Sequence, residues 1–167
     1  MKLRFFVPVL MAGCALLIAS GCAVMSKGRS ETVVVHSSPE GATTLINGIE
    51  VGKTPFKVKV PRGSAYTVEA RKAGFENSVA VLLPVANEYE KNFLRWGIDY
   101  DLGAMTDLSP SDVRLDLKPA LGEVNTTDRF EEMTYRVQQA DALLAAKEIS
   151  PADHKYIVRE IVKFYAN

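Results

Sequence analysis

The side chains that could do chemistry are few, and their spacing is incomplete for each reaction they suggest. Asp99, Asp101 and Asp107 gather acidic oxygen in a short stretch. Hard oxygen ligands are what calcium requires, and two close carboxylates of different pKa are what acid–base hydrolysis requires. Leu102 follows Asp101, and no glutamate closes a twelve-residue calcium loop. His36 and His154 are the only histidines, and neither has Cys, Asp or Glu partners at metal-ligand or triad spacing. Gly52-Lys53-Thr54 lacks the longer glycine run of a phosphate loop, and Pro55 followed by alternating Phe56, Val58 and Val60 opposes the helix such a loop needs. The sequence therefore predicts no catalytic residue, no metal and no cofactor. Tyr89, Phe93, Trp96 and Tyr100 are the candidate binding residues, a platform for a sugar or peptide if exposed. The competing role for Trp96 is to cover one end of a core.

Both cysteines lie near the N-terminus. Lys2 and Arg4 precede a charge-free run from Phe5 to Ala19, the pattern of a secretory signal. That run is short for a membrane span, which takes about 20 apolar residues, and Pro8 and Gly13 interrupt it. It leads into Ile18-Ala19-Ser20-Gly21-Cys22, which resembles the lipobox of bacterial lipoproteins, although Ala19 stands where leucine is usual. Cys14 follows a much shorter apolar run and is the weaker candidate. The resemblance implies cleavage before Cys22, diacylation of its sulfur (palmitate-type chains) and attachment to a membrane. Ala23, rather than aspartate, follows the cysteine, which by the sorting pattern of such lipoproteins implies the outer membrane, facing the periplasm. Cleavage would leave Cys22 as the last cysteine, so the extracytoplasmic chain would fold without a disulfide.

Basic and acidic residues number 20 each. Loss of Lys2 and Arg4 with the signal leaves the acids in excess by two, so anchoring falls to acyl chains rather than a polybasic patch. The same balance gives no broad basic field, and no nucleic-acid partner is expected.

The positioning elements begin with strands. Thr32 to Ser37 is a β-favouring run that ends at a Ser-Ser-Pro break. Thr43 to Ile46 and Ile49 to Val51 flank Asn47-Gly48, the dipeptide of a two-residue type I′ hairpin turn. Phe56 to Val60, Tyr66 to Ala70 and Val79 to Val85 complete six short strands without room for crossover helices, favouring an antiparallel sandwich or partly closed barrel. Pro39-Glu40-Gly41-Ala42, with Asn47-Gly48, Gly52, Thr54-Pro55, Tyr66 and Ala73-Gly74-Phe75 at this spacing, resembles a PEGA domain. The resemblance implies a small β-sandwich of extracytoplasmic proteins, with no generally assigned catalytic residues.

A further strand is expected from about Asp112 to Lys118, where Val113, Leu115 and Leu117 alternate with charged residues. Phe130, Met133, Val137, Ala140 and Leu144 then recur at helical spacing, with Thr127 or Asp128 as the cap. Ser150, Pro151 and Asp153 open a second helix, whose apolar face is Ile157, Val158, Ile161, Val162 and Tyr165. The expected class is mainly β: a small antiparallel, PEGA-like β-sandwich with a C-terminal αα-hairpin. Its parts are a signal peptide at 1–21, a lipidated N-terminus and tether at 22–31, the sandwich at 32–83, an aromatic, Asp-containing loop and final strand at 84–122, and the hairpin at 123–167.

The function expected is a non-enzymatic, lipid-anchored cell-envelope module with a structural or binding role. Its partners would be the membrane, through acyl chains on Cys22, and an envelope protein or glycan. One alternative is an envelope hydrolase built on Asp99 to Asp107. Another is an assembly factor that self-associates through helices 128–147 and 151–165.

Overall fold

The computed structural model describes residues 22–92, 97–121 and 128–166. The expected signal peptide, Phe93, Trp96 and the boundary near residue 122 lie outside them. The fold is mainly β, of sandwich type, with a C-terminal helix pair. Its elements are α1 (Cys22–Lys27), β1 (Ser30–Ser38), β2 (Thr43–Ile46), β3 (Ile49–Lys53), β4 (Phe56–Pro61), β5 (Tyr66–Arg71), β6 (Ser78–Ala86), α2 (Glu88–Asn92), α3 (Ile98–Asp101), β7 (Thr106–Ser109), β8 (Asp112–Asp116), α4 (Arg129–Ala145) and α5 (Pro151–Ala166). One sheet has the order β4-β1-β8 and the other β3-β2-β5-β6-β7.

The six expected strands form, and the hairpin turn has its predicted chemistry: Asn47 and Gly48 adopt φ of 50° and 80°, and Ile46 faces Ile49 across the turn. Positive φ at both positions suits an Asn-Gly pair and lets the turn follow the twist of its strands. Residues 22–31, read as a tether, instead hold α1 and the start of β1, with Ala23 only 1 % exposed. Residues 88–109, read as a loop, hold α2, α3 and β7.

Two compact units divide the chain. The first comprises Met1–Val35, Lys57–Tyr66 and Val81–Val113, and the second His36–Phe56, Thr67–Ala80 and Arg114–Asn167. In the first, period-two alternation turns Val33 and Val35 inward, and they are buried with Val60, Leu82, Leu108 and Val113. Leu83 and Val85 on the other face of β6 are 53 % and 50 % exposed. A run apolar at every position predicts burial on both faces, and only one face is covered. Gly103 takes φ of 71°, and a Cβ there would lie 2.7 Å from the Gly63 nitrogen, so two backbones meet where no side chain fits.

In the second unit the buried residues include Ile46, Val68, Ala70, Phe75, Leu115 and Leu117 from the strand region and Ala140, Ile149, Ile157, Ile161 and Tyr165 from the helix pair and its connecting turn. β2 pairs antiparallel with β5, Ile46 opposite Val68 and Thr44 opposite Ala70. Asp128 caps α4 by accepting from the amides of Phe130 (2.9 Å) and Glu131 (3.3 Å). α4 and α5 form the expected antiparallel hairpin, but the apolar stripe of α4 is only partly covered. Ala140 is buried and Phe130 is 71 % exposed. On α5, Ile157, Ile161 and Tyr165 share the inward face, whereas Val162, one position round, is 46 % exposed.

Candidate functional site

The residues nominated by the sequence converge around α1 in the first unit. Cys22 is its first residue. Asp99, on the short helix α3, is 5 % exposed, and its carboxylate accepts from the amides of Ala23 (3.2 Å) and Val24 (3.3 Å). Those amides belong to a first helical turn and have no partner within α1, so the acid caps the helix and favours its positive end. Tyr89 on α2 is half-buried, and its hydroxyl lies 2.9 Å from that of Ser26. Tyr100 follows Asp99 and is 48 % exposed. Of the four aromatic candidates, Tyr89 thus contacts α1 and Tyr100 follows the acid that caps it, while Phe93 and Trp96 are outside the described residues.

The far end of α1 is held by Arg62, itself 8 % exposed. Its Nη1 donates to Glu31 (2.7 Å) and Asp107 (2.5 Å), and its Nη2 donates to the carbonyl of Lys27 (3.4 Å). Glu31 also accepts from the Leu108 amide at 2.9 Å, and Lys27 Nζ lies 3.6 Å from Asp107. The buried guanidinium is tolerable because its Nη donors meet carboxylates and carbonyls, although its Nε has no hydrogen-bond partner; once formed, losing one of these partners is costly. Asn87 caps α2 through the amides of Tyr89 (2.9 Å) and Glu90 (3.4 Å), and donates to the Ala104 carbonyl at 3.0 Å.

The acids weighed for calcium or hydrolysis are therefore dispersed: Asp99 on helix amides, Asp107 on Arg62 and Lys27, Asp101 exposed on α3. Among the described residues no cluster of three or more His, Cys, Asp or Glu could hold a metal ion. Among them, too, no helix is long and apolar enough to cross a membrane.

The second unit builds a different polar centre, where the helices meet the Lys72–Phe75 corner. Ser150 Oγ accepts from the Asp153 amide at 3.1 Å, and Asp153 accepts in return from the Ser150 amide (3.1 Å) and hydroxyl (2.8 Å). This is a capping box with aspartate in the reciprocal place. Lys72 Nζ joins it, 2.8 Å from Asp153 and 2.6 Å from the Glu40 carbonyl. Burial alone would raise the Asp153 carboxyl; hydrogen bonds from Lys72 and Ser150 and the lysine charge outweigh it and hold the group below the usual aspartate range. A Cβ on Gly74 would meet Ile157 at 2.9 Å and Leu143 at 3.3 Å, and the Phe75 and Tyr156 rings stack at 6.2 Å. The helix pair thus covers the strand corner of its own unit. An open cleft of about 550 Å³ beside it is lined by Pro39, Glu40, Lys72, Glu148, Ser150 and Asp153.

Pro39 to Ala42 and Thr54 make one interlocked turn. The Thr54 hydroxyl accepts from the Ala42 amide at 3.1 Å and bonds Ser37 Oγ, while the Thr54 amide donates to the Ala42 carbonyl at 3.0 Å. Thr54 thereby serves the turn rather than a phosphate. His154 Nε2 lies 2.7 Å from Asp141, bridging α5 to α4.

Sequence reasoning missed Asp99, Arg62 and Lys72 as organising residues. Asp99 acts over 76 positions and Arg62 over 45 to reach Asp107, separations that leave no local pattern. Ser150-Pro151-Asp153 did carry a readable signal, because a capping box is local.

Residues 30–95 match the family model of the PEGA domain, slightly beyond the range 32–83 expected from the motifs. No curated protein and no solved structure matches the chain.

Proposed function

We propose that this PEGA-domain-containing chain is a non-enzymatic module of the bacterial cell envelope, exported by residues 1–21 and anchored by acyl chains on Cys22, with a structural or binding role. The observation that carries the reading is the run Ile18-Ala19-Ser20-Gly21-Cys22 at the end of a charge-free segment, with α1 starting at Cys22 and Ala23 already buried. The absence of a charge on Ala23 favours the outer membrane, with the module facing the periplasm. Supporting a non-catalytic role, Asp99 and Asp107 are committed to helix amides and to Arg62. A carboxylate so engaged is poorly placed to shuttle protons to a substrate.

The test is the intact mass and membrane partition of the chain expressed with its own signal, beside Cys22→Ser. The expected result is a wild-type chain that begins at residue 22 with added acyl mass and sediments with membranes, and a variant without acyl mass. A wild-type chain cleaved elsewhere and unacylated would overturn the anchor. Pull-down from peptidoglycan, glycan and envelope-protein fractions then separates a binding role, which gives retention in mild salt, from a purely structural one.

A second reading, assembly through the helix pair, rests on its exposed apolar side chains, with Phe130 at 71 % and Tyr135 at 55 %. Sedimentation of the wild type against Phe130→Asp tests it. A wild-type oligomer lost in the variant would support assembly, and identical monomers would remove it.

A further inference from the structure

In the first unit Ala23 is held with almost no slack. Ala23 is buried, its amide and that of Val24 are clamped by Asp99, and the opposite end of α1 is tied through the Lys27 carbonyl to Arg62. Cys22 is the immediate neighbour of a buried residue, its Cα only about 3.8 Å from that of Ala23. A flexible tether of ten residues, as the sequence suggested for 22–31, would span roughly 16–19 Å. Acyl chains on Cys22 would draw this particular surface to the bilayer rather than leave the unit hanging beneath it.

The surface beside that point has the chemistry of a lipid interface. Met25 on α1 is 90 % exposed, Tyr100 next to the clamping acid is 48 % exposed, and Tyr89 sits over Ser26 with its hydroxyl hydrogen-bonded there. An unbranched apolar side chain and amphipathic phenols suit the zone between headgroups and hydrocarbon, where tyrosine is enriched. The neighbouring charges on α2 and α3 are Glu88, Glu90, Lys91, Asp99 and Asp101, so attraction to anionic lipid is not what would seat the face.

Resting on the acylation reading above, we propose that the α1–α2–α3 surface bearing Met25, Tyr89 and Tyr100 is a membrane-docking face. It lies in the headgroup region of the bilayer that receives the Cys22 acyl chains. The acyl chains supply affinity, and this face sets the orientation of the first unit.

The experiment uses the full acylated chain, expressed with its own signal and reconstituted in phosphatidylcholine vesicles. Single cysteines for nitroxide labels replace Met25, Tyr100, Lys57 or, on the other exposed apolar face, Val81. The expected result is a several-fold higher ratio of oxygen to aqueous-nickel accessibility at 25 and 100 than at 57 and 81. Labels at 25 and 100 as aqueous as that at 57 would overturn the docking face, as would a lipid signature at 81 in their place. Intact mass separates the two failures. Acyl mass on Cys22 with aqueous labels refutes the docking face alone, whereas its absence refutes the anchor and this inference with it.

Discussion

Replacing Lys72 by methionine tests whether one buried ion pair locks the helix hairpin to the strand corner of its unit. Methionine keeps most of the aliphatic stem while removing the ammonium that reaches Asp153 and the Glu40 carbonyl. The side chains of Lys72 and Asp153 are 12 % and 6 % exposed. Breaking a buried pair costs about 3–5 kcal/mol, because a charge is left behind without its partner. Here Asp153 retains two hydrogen bonds from Ser150, so the expected loss at pH 7 is smaller, about 2–3 kcal/mol. The pH dependence follows from the depressed carboxyl. Its stabilisation is present above the unfolded aspartate value of about 3.9 and is lost as pH falls through the lower native value. Without Lys72, burial, which raises the group, is opposed by Ser150 alone. The gap between wild type and Lys72→Met should thus be full at pH 7 and smaller at an acid pH below the unfolded aspartate value of about 3.9. Guanidinium unfolding followed by far-ultraviolet circular dichroism at both pH values measures it. A gap under about 0.5 kcal/mol at pH 7, comparable to an exposed pair, or one undiminished in acid, would refute the reasoning.

Two glycine substitutions probe the backbone. Gly48→Val places a β-branched residue at φ of 80° with open space around its Cβ, so the loss is pure backbone strain of about 1–2 kcal/mol. Its thermal midpoint should fall below that of Lys57→Arg, and equal midpoints would contradict the turn. Gly103→Ala adds to a similar strain a Cβ at 2.7 Å and 2.8 Å from the Gly63 backbone. It should therefore destabilise more than Gly48→Ala, and the reverse order in a thermal scan would refute the close approach.

What could be read in the sequence was what is local. Asn47-Gly48 states its turn because two adjacent residues must both tolerate positive φ. Ser150-Pro151-Asp153 states a helix start because cap and reciprocal acid lie three apart. Residues 88–109 resisted because their elements are only four or five residues long, too short for a period to repeat, and β7 buries only Leu108. The helix at 22–27 was hidden for a related reason: Met25 to Glu31 reads as a polar, glycine-containing linker, and the Asp99 that caps α1 is distant in sequence. In β6 the composition alone did not tell which face is covered, since valines and leucines run along the strand although alternate ones meet solvent. Of the candidate site, the residue types at 22, 89 and 100 were legible, but the clamp that joins their elements was not.

The sheet order bears on how far this module can be transplanted. The PEGA match ends at residue 95, yet β1 has β8 as a hydrogen-bonded neighbour and β6 has β7, and both partners come from residues 106–116. A gene fragment cut to the family boundary would expose backbone donors and acceptors along two strands, surfaces that recruit other chains. The portable cassette is therefore longer than the recognisable motif, and a graft into another protein would have to carry the sequence through β8 to arrive with its sheets closed.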